Sequence, residues 1–214
     1  MTDDDWNIYD NSGNFLSNAH SSSASYSQSN WQGEVEAAIP FQTSWFDWKA
    51  LIGVRYHQMS WQAWNTVQVN TVAKDGSQYS VSYGGMTDTL RQSWLIPYLG
   101  CAIEVALGPM SLEGSLRYSP YLSNIQTDEH VLRNLTFTEY FYGGFMLEPR
   151  LTLGIRLSDR IVLATDLSYR LIGSLRGDEI VSGAGQNASS TTYPNGSGSI
   201  LQLWVAGLGI RISQ

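Results

Sequence analysis

Apolar and polar residues alternate at every second position along most of the sequence from residue 31 onward. In one such stretch, Ile52 and Val54 alternate with Gly53 and Arg55. A period of two residues is the signature of a β-strand, because successive side chains of a strand point to opposite faces. No segment sustains the period of an amphipathic helix. The pattern predicts seven strands, over residues 31–41, 47–63, 91–107, 110–123, 135–157, 160–173 and 199–213.

The connections between these strands are predicted to alternate between short turns and long polar stretches. The turns at Gly108-Pro109 and Ser158–Arg160 are short, and residues 64–89 are predicted to be a polar hairpin extension. Stretches rich in Asn, Ser and Gly predict long loops over residues 1–30, 121–134 and 174–198. This asymmetry is typical of bacterial outer-membrane β-barrels, which have short periplasmic turns and long external loops.

The two faces of the predicted strands differ in their chemistry. One face is apolar and includes Cys101, which we expect to face lipid. The other face carries His57 and most of the charges, as expected of a barrel interior. Because a buried charge needs a partner, we expect these residues to form a network inside the barrel. The charged residues of the predicted interior face are Arg55, Glu104, Arg117, Arg156, Asp166, Arg170 and Arg211.

The composition separates a barrel from other classes of protein. The 214 residues include 12 Lys and Arg against 19 Asp and Glu, a net charge of −7. This argues against nucleic-acid binding, which needs a basic face. Charged residues make up 14% of the chain, below the ~25% that is usual in soluble domains. A soluble β-sandwich would carry more Lys and Glu on its outer face, so a transmembrane barrel is favoured. The single cysteine excludes an internal disulfide.

Two features conflict with a closed barrel. Seven strands is an odd number, whereas bacterial single-chain barrels have even numbers of strands. An open sheet edge in lipid leaves backbone groups without hydrogen-bond partners. The sequence also begins with MTDDDW, which has neither the positive charges nor the apolar run of a signal peptide. Either the strand count or the set of strands is therefore incomplete.

Two acidic segments are candidates for chemistry. In an extended backbone, residues i and i+2 point the same way. Asp3 and Asp5 therefore share a direction, and so do Asp128 and His130. A carboxylate beside a histidine orients the imidazole and raises its basicity. A second carboxylate pair facing it could hold a water, which would give a hydrolytic centre without a metal or a covalent nucleophile. The alternative is that both segments are solvated acidic loops.

Several motifs resemble the omptins, a family of outer-membrane endoproteases of Gram-negative bacteria. The resemblance rests on DxDW at Asp3–Trp6, on DEH at Asp128–His130 and on the LRNLTFTE that follows, in order along the chain. It also includes GVRYHQMSW at Gly53–Trp61, IPYLG at Ile96–Gly100 and AGLGI at Ala206–Ile210.

The resemblance implies an all-β, antiparallel transmembrane barrel of ten strands with its active face outside the cell. Three family strands precede the DxDW motif. The seven strands predicted here would then form one domain, residues 1–214, that lacks the first three strands and has residues 1–30 as an external loop.

The resemblance also implies an aspartyl and histidyl endopeptidase without metal or cofactor. Asp128 and His130 would form one catalytic couple, in which His130 is the general base for a water and Asp128 orients it. Asp3 and Asp5 would form the other couple and would position that water and the scissile carbonyl.

The sequence departs from the family pattern in two places. Omptins that prefer basic substrates carry an Asp two residues before the catalytic Asp. This chain has Gln126 at that position. Gln126 is therefore a candidate substrate-binding residue, and we expect the preference of the enzyme for Arg or Lys at the cleavage point to be weakened. Omptins also need lipopolysaccharide, and the matching positions are Val54, Tyr56, Gln58 and Ala106, without either expected Arg. The expected partners are a peptide or protein substrate and outer-membrane lipid, with a monomeric barrel. The alternative function is a non-catalytic barrel for adhesion or surface binding.

Overall fold

The regular structure of the chain is entirely β-strand in the residues that the structure describes. A computed structural model describes residues 2–9, 15–42, 47–72, 75–158, 160–183 and 189–212. The strands form one antiparallel sheet, which confirms the all-β prediction. They are β1 Thr2–Tyr9, β2 Phe15–Gln42, β3 Asp47–Val72, β4 Gln78–Leu107, β5 Met110–Ser119, β6 Leu122–His130, β7 Leu135–Gly143, β8 Met146–Ser158, β9 Ile161–Gly183 and β10 Ser190–Ile212.

The sheet has seven long strands when β5 is counted with β6 and β7 with β8, as the alternation predicted. β5 and β6 pair one after the other with β4, from Asp88 to its end at Leu107, and β7 and β8 pair one after the other with β9. Each couple is therefore one long strand with a single interruption. The interruption between β7 and β8 lies at Gly143 and Gly144. Their φ angles of 84° and 67° are positive, which glycine adopts readily because it lacks a Cβ. β1 is a short additional strand beside β2.

The prediction of three long irregular loops is wrong. Residues 1–30 contain β1 and the first half of β2, residues 121–134 contain β6, and residues 174–198 contain the ends of β9 and β10. These strands hydrogen-bond to their neighbours, but their sequences are polar at odd and even positions alike, so the apolar alternation that marks a strand is missing. The hairpin extension over 64–89 is confirmed by β3 and β4. That residues 1–30 lie outside the cell stays a prediction.

Side chains from strands that are not neighbours in the sheet meet across an interior, because the sheet curls around it. Arg55 of β3 donates to Glu148 of β8 through Nη1 at 2.6 Å and Nη2 at 2.9 Å. Arg170 of β9 donates its Nε to the same carboxylate at 2.6 Å and its Nη2 to Gln32 of β2 at 3.2 Å. All three charged side chains are at most 1% exposed, so this part of the predicted interior network is confirmed.

The remaining predicted interior residues differ in their surroundings. Arg117 is buried and donates to Glu36 at 2.8 Å. Glu104 accepts from Lys49 at 2.9 Å, and His57 is 2% exposed. Asp166 is half-buried. Arg156 lies on the face of Glu148, as predicted, but is exposed because it lies at the turn end of β8, beside Pro109. The side chain of Arg211 lies outside the described residues.

The outward face of the barrel carries a belt of exposed apolar side chains. Such a belt is what a β-barrel presents to lipid. Cys101 is exposed on this face, as predicted. Among the described residues, no helix is long and apolar enough to cross a membrane. Members of the belt include Val54, Leu95, Leu99, Ile103, Leu112, Leu116, Leu151, Leu167, Leu208 and Ile210.

Candidate active site

The candidate site lies on the barrel wall above the apolar belt, where β4 and β6 pair. Asp88 of β4 lies opposite His130 of β6, and Asp128 lies opposite Leu90. Residues two apart in a strand share a face. Asp128 and His130 therefore face the same way as Asn124, which is buried in the interior.

The imidazole of His130 lies between two carboxylates. Its Nε2 is 3.3 Å from Oδ2 of Asp128, and its Nδ1 is 3.3 Å from Oδ1 of Asp88. Its ring packs against Phe137 with the ring centroids 4.8 Å apart. The contact with Asp128 raises the pKa of His130 above its ordinary value of 6.5; burial opposes this rise and the charge of Asp88 adds to it.

The structure brings Asp128 and His130 together as the sequence predicted, but sequence reasoning missed Asp88. Asp88 lies in the polar hairpin extension, among Gly, Ser and Thr residues, where no motif marks it. Its contact with His130 depends on the register between β4 and β6. No local sequence signal reports such a register.

Glu129 points away from the site. Its side chain is exposed, and its Oε2 accepts from Oγ1 of Thr89, its cross-strand partner, at 3.2 Å. The residue between Asp128 and His130 therefore lies on the outer face of the wall. This is the direction that an extended backbone gives to the residue between two that share a face.

The backbone of β1, which carries the predicted first couple Asp3 and Asp5, runs beside the same pocket. The backbone of Asp3 in β1 lies opposite Ser21 of β2. Ser21 lines a pocket together with Asp88 and Asp128. The strand that carries Asp3 and Asp5 thus runs next to the wall of the pocket. The side chains of both residues lie outside the described part of the chain.

Gln126 lies two residues before Asp128 on the same face of β6, in a row of polar residues across the sheet that we call the polar row. Its Oε1 accepts from Nε2 of Gln92 at 2.5 Å, and Glu139 of β7 lies opposite it. Glu139 in turn lies opposite Glu179 of β9. Burial, together with the charge of Glu179, raises the pKa of Glu139. Two acidic residues that the sequence analysis did not single out as site residues therefore stand beside the position where the expected Asp is replaced by Gln.

The four positions matched to lipopolysaccharide contacts do not lie together. Val54, Tyr56 and Gln58 follow one another along β3, and Tyr56 is 36% exposed. Gln58 lies opposite Ser93, whereas Ala106 lies near the end of β4, beyond the residues that pair with β3. The assignment of Ala106 is therefore wrong, because the register places Ser93 beside Gln58. A need for lipopolysaccharide stays a prediction.

Among the described residues, no group of three or more His, Cys, Asp and Glu side chains is arranged to hold a metal ion. The site therefore consists of one imidazole between two carboxylates, a pocket beside them, and a row of amides and carboxyl groups beneath.

The comparisons with known proteins agree with this architecture. The sequence matches the omptin family over residues 1–213. The chain belongs to the omptin family. Its structure is similar to the crystal structure of the outer membrane protease OmpT from Escherichia coli, with a TM-score of 0.80 and 16% sequence identity. The match covers 99% of this chain and 73% of that chain. No curated protein matches the sequence.

Membership of the family confirms the resemblance on which the sequence analysis relied. Omptins are outer-membrane proteases of bacteria, and the likeness to OmpT shows the antiparallel β-barrel fold. The residues that carry activity in this omptin are the subject of the proposal that follows.

Proposed function

We propose that this omptin is an endopeptidase that hydrolyses peptide bonds with a water activated by His130. The observation that carries the proposal is the 3.3 Å contact between His130 Nε2 and Asp128 Oδ2 beside a pocket inside the barrel mouth. A carboxylate in this position orients an imidazole and stabilises the imidazolium that forms during general-base catalysis.

In this proposal Asp128 orients the ring through Nε2, and Nδ1, which lies 3.3 Å from Asp88 Oδ1, is the atom that takes a proton from the water. The water oxygen attacks the carbonyl carbon of the scissile bond as its proton passes to Nδ1. The proton then passes to the amide nitrogen, the C–N bond breaks, and the amine leaves without a covalent bond to the protein. Asp3 and Asp5 position the water and the carbonyl in this proposal, which the place of β1 beside Ser21 supports.

The active face of the barrel lies outside the cell in this proposal. The support comes from the length of β4, which begins at Gln78 in the hairpin extension, passes Asp88 near His130 and ends at Leu107, at the two-residue turn 108–109. In outer-membrane barrels the short turns are periplasmic and the long extensions external. A substrate that enters the mouth would meet Gln126 just below the proposed base.

Cleavage of peptides by the purified protein in detergent tests the proposal. His130→Ala is expected to lower kcat by roughly 10²–10⁴, the usual scale for loss of a general base. Glu129→Ala is the matched control and should cleave like the wild type, because its side chain lies on the outer face. If His130→Ala cleaves as fast as the wild type, the proposal fails and a non-catalytic barrel for adhesion becomes the better account.

A further inference from the structure

His130 has a carboxylate on each side, and the proposed function uses only one of them. The distance from Nδ1 to Asp88 Oδ1 equals the distance from Nε2 to Asp128 Oδ2, at 3.3 Å. The two carboxylate side chains are also similarly exposed, at 34% and 32%. Because Asp88 lies directly opposite His130 in paired strands, the backbone register fixes this second contact.

We propose that Asp88 is a positioning residue for His130: the Asp88 carboxylate lies beside Nδ1 and stabilises the imidazolium, while Asp128 accepts from Nε2 and orients the ring. The inference rests on the proposed function, in which His130 is the base. The neutral ring donates from Nε2 to Asp128 and packs on Phe137, and it donates from Nδ1 to Asp88 once it has taken up the proton. Asp88 acts through His130 and has no contact with the water or the peptide in this proposal.

The consequence of this arrangement is electrostatic. The proton that the water gives up arrives at Nδ1, next to Asp88, so the positive charge that the ring gains has a carboxylate at 3.3 Å on either side. Preorganised charges of this kind stabilise charge that develops during a reaction. Asp88 therefore makes His130 a stronger base, which is protonated up to a higher pH.

The balance of charge around the ring favours the imidazolium. Within the described part of the chain, the charged groups that act on His130 are Asp88 from β4, Asp128 from β6 and Arg133 from the turn 131–134. The two carboxylates raise the pKa of His130 and the one guanidinium lowers it. Without the charge on Asp88, one carboxylate and one guanidinium remain. The ring should then be a weaker base and lose its proton at a lower pH.

The test is an NMR titration of the histidines in the intact protein, combined with pH profiles of kcat/KM. The chain has three histidines, so His20→Gln and His57→Gln variants assign the signal of His130. Asp88→Asn is expected to lower the pKa of His130 by about one unit and to move the acidic limb of kcat/KM down by the same amount. Asp88→Glu keeps the charge and should restore both values towards the wild type. Glu129→Gln, on the outer face, should change neither.

Two results would overturn the role of Asp88. One is a pKa of His130 that stays at the wild-type value in Asp88→Asn. The other is an equal loss of activity in Asp88→Asn and Asp88→Glu with an unshifted pH profile, which indicates a structural role. Failure of the proposed function looks different: His130→Ala would then cleave like the wild type, while Asp88→Asn would still lower the pKa of His130.

Discussion

Asp128 and His130, two residues apart in one strand, meet with 3.3 Å between Asp128 Oδ2 and His130 Nε2. Strand geometry produces this contact, because residues i and i+2 lie on the same face. Glu129 between them points outward to Thr89. The dyad is thus held by a paired strand, so its geometry does not depend on how two loops fold against each other.

The pH dependence of cleavage should report the raised pKa of His130. The base must be unprotonated, so kcat/KM should rise with pH and reach half its maximum above pH 6.5, the ordinary pKa of the group. The contribution of His130 to the stability of the fold changes with pH in the opposite direction. The contact with the imidazolium stabilises the folded protein below pH 6.5 and loses this effect as the pH rises through the raised pKa. A pH profile of kcat/KM checks the first expectation, and an acidic limb below pH 6.5 would contradict it.

Substitution of Gln126 should change the preference for the residue at the cleavage point. Gln126→Asp places a carboxylate beside Glu139 in the polar row, and a stronger negative field favours a cationic side chain over a neutral one. The variant is therefore expected to raise the ratio of kcat/KM for an Arg peptide over that for the neutral analogue.

The matched control for Gln126→Asp is Thr127→Asp, which adds the same charge to the opposite face of β6. Thr127 lies opposite the exposed Arg91. Paired measurements on the two peptides should show no change in this variant. An equal shift in both variants would mean that net charge, and not the row beneath the dyad, sets the preference.

The interior ion network should be sensitive to the loss of its central carboxylate. Glu148 accepts from both Arg55 and Arg170 and is fully buried. Glu148→Ala leaves two buried guanidinium groups without this partner, so we expect the free energy of unfolding to fall by about 3–5 kcal/mol. Urea unfolding in detergent measures this change.

Glu104→Ala is the control for that prediction. Glu104 pairs with Lys49 near the surface, and Lys49 keeps its second partner, Glu113, in the variant. We expect a change below about 1 kcal/mol, because both side chains of this pair are partly exposed to solvent. Equal losses in the two variants would show that burial of the network does not determine its contribution.

Gly177 should not tolerate a side chain. A Cβ added there would overlap the backbone carbonyl of Tyr140 on the neighbouring strand and contact the ring of Phe141. Gly177→Ala is expected to cost about 1–3 kcal/mol, the usual range for overpacking. Gly114→Ala provides the comparison, since nothing lies within 4 Å of its added Cβ. Thermal unfolding of both variants checks this, and similar melting temperatures would contradict it.

The lower half of the barrel could be predicted from the sequence, and the upper half could not. Near Ile52 and Leu99, one face meets an apolar surrounding and the other meets the interior, so alternation marks each strand. In β1, β6 and the ends of β9 and β10, polar residues occupy odd and even positions alike. The same composition is also typical of loops, and only the pairing with neighbouring strands distinguishes the two.

The candidate site divides in the same way. Asp128 with His130 could be predicted because the relationship is local to one strand. Asp88 could not be predicted, and neither could Glu139 and Glu179 beside the predicted Gln126, because these neighbours are set by register between different strands. The misplacement of the lipopolysaccharide position near the end of β4 has the same cause.

A double-mutant cycle on Asp128 and His130 tests the central claim most directly. The measurement is kcat/KM for peptide cleavage by the wild type, His130→Ala, Asp128→Ala and the double variant. If Asp128 acts by orienting His130, the two losses do not add, and the double variant should be little slower than His130→Ala, which is itself slower by roughly 10²–10⁴. Losses that multiply, or a His130→Ala variant as fast as the wild type, would contradict the account.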